Sequence, residues 1–221
     1  MVINSIPQIN HYINLKQNSP AHCVSFHPKD YLLAIGMESD GFIIHALVPP
    51  KTVQKIPLAY SVHAIQWSPD GSLLATGSID ADTVLWKTDN WKKYVTLPDS
   101  DGALNFSWSP DGKFLAVGSW HCQEDSSVEV WSTKDWSRVK TRNDYRSRYV
   151  SFSPDGSFLA LQYKLTGIEV LSVPTFKRVA FLDFSDSKKY VDIYSPRWSP
   201  NGQFLAVSCG DGRVRIWWIA D

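Results

Sequence analysis

Along the chain, apolar and polar residues alternate in short runs broken by Gly, Pro, Asp and Ser. Val62-His63-Ala64-Ile65-Gln66-Trp67 is one such run, and Leu73-Leu74-Ala75-Thr76-Gly77 follows it across a Ser-Pro-Asp-Gly turn. A period of two predicts strands with one face inward, and no stretch of useful length carries the helical period.

The alternation recurs in blocks. Phe26-His27-Pro28-Lys29-Asp30, Trp67-Ser68-Pro69-Asp70-Gly71, Trp108-Ser109-Pro110-Asp111-Gly112, Phe152-Ser153-Pro154-Asp155-Gly156 and Trp198-Ser199-Pro200-Asn201-Gly202 start on aromatic anchors spaced 41, 41, 44 and 46 residues apart. Each anchor is followed at one offset by a Leu-Ala pair, from Leu33-Ala34 to Leu205-Ala206. In the turn, Pro presets φ at the first central position, Asp suits the second, and Gly accepts positive φ on leaving. A third strand pattern follows at Thr83 to Trp86, Val128 to Trp131, Ile168 to Leu171 and Val214 to Trp217. A more polar fourth follows at Thr52 to Ala59, Trp91 to Leu97, Trp136 to Thr141 and Phe176 to Leu182. Four short strands per period is the signature of a propeller blade. The expected fold is all-β, a single domain over 1–221 forming a five-bladed β-propeller of four-stranded antiparallel blades. The segment Ile9 to Leu15 precedes Phe26 as Lys92 to Leu97 precedes Trp108. It is therefore expected to complete the last blade as an N-terminal outer strand and close the ring.

These motifs resemble the WD40-repeat β-propeller family, over nearly the whole chain. The resemblance implies a turn Asp before each third strand, at Asp40, Asp80, Asp125 and Asp211, and a closing Trp, at Trp86, Trp131 and Trp217. Repeat one has Ala46 at the closing place, repeat four has Leu171 and no matching Asp, and the family's Gly-His dipeptide is absent from every repeat. The resemblance implies a divergent member with an incomplete side-chain network in each blade. It also implies an interaction scaffold for a protein or peptide partner, or for a larger complex.

Composition narrows the classes. With 43% hydrophobic residues and 20% charged, the chain can bury a sizeable core. Its formal net charge is +0, which argues against coating nucleic acid or an anionic membrane. The three Cys are too few and odd in number for a disulfide scaffold, so a reduced, cytoplasmic setting is expected. No signal peptide and no apolar run of membrane-spanning length is visible. Charge is unevenly spread: Lys134 to Arg148 is basic and Asp80 to Val130 acidic.

No nucleophile motif, phosphate loop or dinucleotide fingerprint occurs, so no enzyme, no catalytic residue and no cofactor are expected. His121-Cys122 lacks partners at ligand spacing, so no metal is expected. The turn Asp residues could form a carboxylate ring, as in five-bladed glycoside-cleaving propellers. Their recurrence at one place per blade instead favours capping of their own turns. The loops 119–125, 142–148 and 184–196 open on one face over blades three to five. Long aromatic and charged loops on a rigid scaffold are where binding concentrates. The partner-binding residues expected there are Trp120, His121, Tyr145, Arg146, Arg148, Tyr190, Tyr194 and Arg197. RNA bound by the same basic face is the alternative, and self-association stays open.

Overall fold

In the computed structural model, residues 15, 17–120, 127–143, 148–184 and 192–219 are described. They form nineteen strands and no helix: β1 (Ala21–Phe26), β2 (Leu32–Met37), β3 (Phe42–Leu47) and β4 (Pro50–Ile56); β5 (Ala64–Trp67), β6 (Leu73–Gly77), β7 (Val84–Lys87) and β8 (Lys93–Thr96); β9 (Ala103–Trp108), β10 (Phe114–Ser119), β11 (Ser127–Ser132) and β12 (Arg138–Asn143); β13 (Val150–Phe152), β14 (Phe158–Tyr163), β15 (Gly167–Ser172) and β16 (Arg178–Asp183); and β17 (Arg197–Trp198), β18 (Phe204–Ser208) and β19 (Val214–Trp218). Strands pair antiparallel with their chain neighbours, giving four four-stranded sheets and a three-stranded fifth.

The Ser-Pro-Asp-Gly turns are hydrogen-bonded knots of one design. Ser68, Ser109 and Ser153 Oγ donate to Oδ1 of Asp70, Asp111 and Asp155 at 2.6, 2.7 and 2.5 Å, and Ser199 does the same to Asn201 at 2.6 Å. Each serine oxygen also accepts the N–H that opens the second strand, as from Phe114 at 2.9 Å. The Ser109 hydroxyl, with help from Lys113, holds Asp111 down at about 2. Repeat one lacks the serine, and there His27 Nδ1 accepts from Asp30 N at 2.9 Å.

Blades pack face to face, and each interface has its own apolar core. Between blades one and two lie Phe42, Ile44, Trp67 and Trp86; between two and three, Leu85, Phe106, Trp108 and Trp131. Between three and four lie Val130, Phe152 and Leu161; between four and five, Val170, Phe184, Leu205 and Val207. Polar bonds set the stagger: Trp67 Nε1 donates to Ser25 O and Trp198 Nε1 to Ser151 O, each at 3.0 Å, while Phe152 N donates to Ser107 Oγ at 2.9 Å.

Among the described residues the ring is not closed. On the side of blade five facing away from blade four, Val214, Ile216 and Trp218 are 64%, 64% and 75% exposed, where the equivalent Val128 and Val130 of blade three are buried. Of the expected N-terminal strand, only Leu15 lies within the described residues. It packs on Ile35, Met37 and Ile43 of blade one.

Strand register corrects two expectations. Leu74, Leu115, Leu159 and Leu205 face Trp86, Trp131, Leu171 and Trp217, and the matching Leu33 faces His45, so His45 rather than Ala46 is the closing residue of repeat one. Leu33 and His45 stand as far apart as Leu74 and Trp86; the count is displaced because Asp40 lies one residue nearer its closing residue than Asp80 and Asp211 lie to theirs. Trp91, Trp136 and Phe176 do not begin outer strands. They sit in turns at φ of 56, 55 and 50°, their N–H groups bonding back to Lys87, Ser132 and Ser172. From there Trp91 and Trp136 meet the anchors Trp67 and Trp108 edge-on.

His45 is 7% exposed and neither ring nitrogen has a hydrogen-bond partner. Burying such a group costs roughly 1–3 kcal/mol. We expect His45→Leu, the counterpart of Leu171, to stabilise the chain by about 1–2 kcal/mol. Thermal unfolding would show this as a midpoint raised by a few degrees; an unchanged or lower midpoint counts against it.

Candidate functional site

Because strands alternate in direction, β1, β5, β9, β13 and β17 begin at one end of the propeller, where the second strands finish and the outer strands end. The strand ends that flank the loops 119–125, 142–148 and 184–196 lie at this end. The Ser-Pro-Asp-Gly turns occupy the opposite end.

Two predicted residues meet there. The Arg148 guanidinium lies over the Trp120 ring at 4.8 Å. Such stacking contributes about 0.5–2 kcal/mol. Trp120 is tied to the neighbouring loop through its N–H to Gly102 O at 2.8 Å. Arg148 is placed by its backbone N–H, which donates to Gln162 Oε1 at 3.2 Å, and its Nε is buried without a hydrogen-bond partner. Gly118 lets this segment pass: a Cβ there would lie 2.2 Å from Arg148 O. On blade five, Tyr194 is half-exposed and its N–H bonds Ser208 O at 3.1 Å. His121, Tyr145, Arg146, Tyr190 and Asp125 lie outside the described residues.

Arg197 is not gathered with the Trp120–Arg148 pair. It lines a cavity of about 280 Å³ together with Cys23, Ser25, His63, Gln66 and Asn105. These residues come from the first strands of blades one, two, three and five, or lie next to them. Sequence reading missed all but Arg197, because alternation in a first strand marks a channel-facing side without marking what the channel holds. Burial pushes the Cys23 thiol up to about 12, so it stays protonated, and it donates to Val62 O at 3.4 Å. Burial and then the neighbouring His22, stacked at 4.6 Å, hold His63 below its ordinary value. His63 is therefore neutral near pH 7.

The turn aspartates play unequal parts. Asp211 accepts Arg213 N at 3.1 Å in its own turn and pairs with Arg215 at 3.0 Å; these contacts, the Arg215 hydrogen bond first, hold its pKa low. Asp40 faces Lys55 at 3.9 Å. Asp80 receives a contact through its backbone, its N–H donating to Ser78 Oγ at 3.2 Å. Glycoside cleavage needs a carboxyl group with a raised pKa as general acid, and Asp211 is shifted the opposite way. Among the described residues no group of His, Cys, Asp and Glu has metal-holding geometry.

Arg138 leaves the basic arc. Instead of lying as a solvated outer-strand cation, it reaches toward blade two, to Pro98 O at 2.6 Å and Asp99 at 3.5 Å, and pairs with the buried Glu129 of its own blade at 3.4 Å. Arg178 repeats the contact with Glu169 in blade four at 3.7 Å.

Consecutive antiparallel blades, anchored by aromatics and stacked about a polar channel, define a WD-repeat β-propeller protein. The chain belongs to the family described as "Eukaryotic translation initiation factor eIF2A", whose model matches residues 35–164, more than half of it, and the model "WD domain, G-beta repeat" matches residues 177–217. A curated relative, "Protein hir1" of Schizosaccharomyces pombe, is 26% identical over 169 residues, covering 66% of this chain and 18% of that protein. The chain thus spans less than a fifth of that relative. The fold is similar to a solved structure titled "Kuenenia stuttgartiensis Hydrazine Synthase", with a TM-score of 0.75 at 19% identity, covering 90% of this chain and 59% of that one.

Proposed function

We propose that the chain is a non-enzymatic scaffold of the cytoplasm that holds a protein or peptide partner on the loop end of blades three to five. The observation that carries this reading is the Trp120–Arg148 stack: an aromatic and an arginine, each partly exposed, fixed by backbone bonds at the end where the longest loops open. Residues of these two types dominate binding hot spots. Membership in the eIF2A family makes components of the translation machinery the first partners to seek. We further propose that Ile9 to Leu15 supplies the missing outer strand of blade five and closes the ring. Its support is Leu15, which meets Ile35 and Ile43 as Leu97, also eleven residues before its anchor, meets the core containing Val117.

Affinity capture with mass spectrometry tests the docking. A Trp120→Ala, Arg148→Ala double variant is expected to lose at least tenfold of its captured partner while keeping its thermal midpoint within a few degrees. Capture equal to the wild type would end this assignment.

A further inference from the structure

The central cavity sits at the loop end, and its chemistry is one-sided. Its charged lining side chain is Arg197, exposed and without an ion pair among the described residues; no carboxylate lines it. The other polar groups are neutral at pH 7: the protonated Cys23 thiol, the Ser25 hydroxyl, the His63 ring and two amides. Asn105 Oδ1 is already occupied, accepting Val150 N at 2.8 Å. Gln66 Oε1 is buried and has no hydrogen-bond partner. A buried acceptor left unmade costs roughly 1–3 kcal/mol. A ligand that supplies a donor there recovers that cost. The cavity therefore presents a cation for an anionic group and, at its wall, an amide whose buried oxygen becomes an acceptor for an N–H once the Gln66 side chain turns toward the ligand.

An amino-acid residue bearing a carboxylate carries both groups close together: the carboxylate for a guanidinium, which it meets in fork geometry, and its own backbone N–H for the amide oxygen. The surroundings select against a long polyanion. Glu38 and Asp80 stand in the β2–β3 and β6–β7 turns at the same end, close enough to act on His63. Asp82 joins them, its Oδ1 accepting Ser100 N at 3.2 Å. Phosphates threaded across this rim would meet like charge, whereas a peptide with one carboxylate and flanking Lys or Arg meets opposite charge on both counts.

Resting on the loop-end docking proposed above, we infer that the channel between blades one, two, three and five is a carboxylate-reading subsite, in which Arg197 and Gln66 hold a carboxylate-bearing residue of a basic peptide partner.

Small probes test the subsite without knowing the partner. The full chain, labelled with ¹⁵N, would be titrated with acetyl-Lys-Gly as the free acid, with its carboxamide, and with acetyl-Lys-Asp amide. The first places the carboxylate at a chain end and the last on a side chain. Saturable shifts of the Gln66 side-chain amide and the Arg197 Nε–H with either carboxylate probe, and at least tenfold weaker response to the carboxamide, are expected. Arg197→Ala should abolish the difference, and Gln66→Leu should weaken the carboxylate probes without lowering the thermal midpoint. No shift up to 20 mM probe, equal response to acid and amide, or a preference retained in Arg197→Ala would overturn the inference. So would tighter Arg197-dependent binding of a uridine decamer than of either peptide. Partner capture separates the two proposals. If Arg197→Ala captures as the wild type does while the Trp120/Arg148 variant fails, the subsite falls and the docking end stands. If the Trp120/Arg148 variant captures normally, the docking end falls.

Discussion

Trp131→Ala is expected to destabilise the chain by about 5 kcal/mol, at the upper end of large aromatic truncations in a core. Trp131 is 2% exposed in the core between blades two and three. Its loss removes more than area. The indole N–H donates to Glu129 Oε2 at 3.1 Å, and the Arg138 guanidinium lies over the ring at 4.8 Å. Alanine leaves a cavity, a carboxylate short of a donor, and an arginine without its platform. Domain stability totals only about 5–15 kcal/mol, so a change of this size takes most of it. At about 2–4 °C per kcal/mol for a chain of this size, the midpoint should fall by roughly 10–20 °C. Trp131→Phe keeps the ring and should cost less than half as much. Urea or thermal unfolding of the two variants decides it, and an alanine variant within about 1 kcal/mol of the wild type would show that blade three does not hang on this residue.

That role was half legible in the sequence. The aromatic anchors and Leu-Ala pairs announce the blades because each sits at a fixed offset from a turn whose chemistry is local. Trp131 was recognisable as a closing residue for the same reason. Its partners were not. Glu129 and Arg138 stand nine residues apart and meet only because a bulge between Val130 and Trp131 shifts the third and fourth strands. The same nine-residue spacing recurs in Glu169 and Arg178 across an equivalent bulge, so the pairing is legible only when blades three and four are compared. His45 was misplaced by one residue because the count ran from the turn Asp, whose offset varies between blades, and not from the Leu that faces the closing residue in the register. Trp91, Trp136 and Phe176 share one repeat position in the sequence, but spacing does not reveal the left-handed turn that takes them out of the outer strands. At the site, Trp120 and Arg148 were chosen for their loops, and their contact is a product of blade stacking that periodicity does not contain. The channel residues escaped notice because Gln66 and Asn105 are ordinary polar positions of a strand until the blades surround them.

Glu129 supplies the second large effect, one that depends on pH. Its side chain is nearly fully buried, and that burial pushes its pKa from the usual carboxylate value up to about 7, against the opposing pull of Arg138 and the Trp131 indole; Asp99 and Asp82 push it further up. The folded state therefore binds more protons than the unfolded state between about pH 4.5 and 7. Stability contributed by this group is fully present below the unfolded value and declines as pH rises through the folded one. A shift of this size corresponds to about 3 kcal/mol lost across the window. The groups that face Glu129 fix the direction: Asp99 and Asp82 oppose its ionisation, and Arg138, shared with Asp99 and Pro98 O, only partly relieves it. His63, held below its ordinary value, acts in the opposite sense, so the wild-type profile alone is not diagnostic. The difference from Glu129→Gln is. Glutamine keeps the shape and an oxygen for the Trp131 N–H but carries no titrating proton. The two proteins should be within about 1 kcal/mol of each other at pH 5, and the variant more stable by about 2–3 kcal/mol at pH 8, where the wild type must bury an ionised carboxylate. Urea titrations across this range measure both curves. Parallel curves would mean that Arg138 neutralises Glu129 throughout, and that the blade two–three clamp is a settled ion pair rather than a strained one.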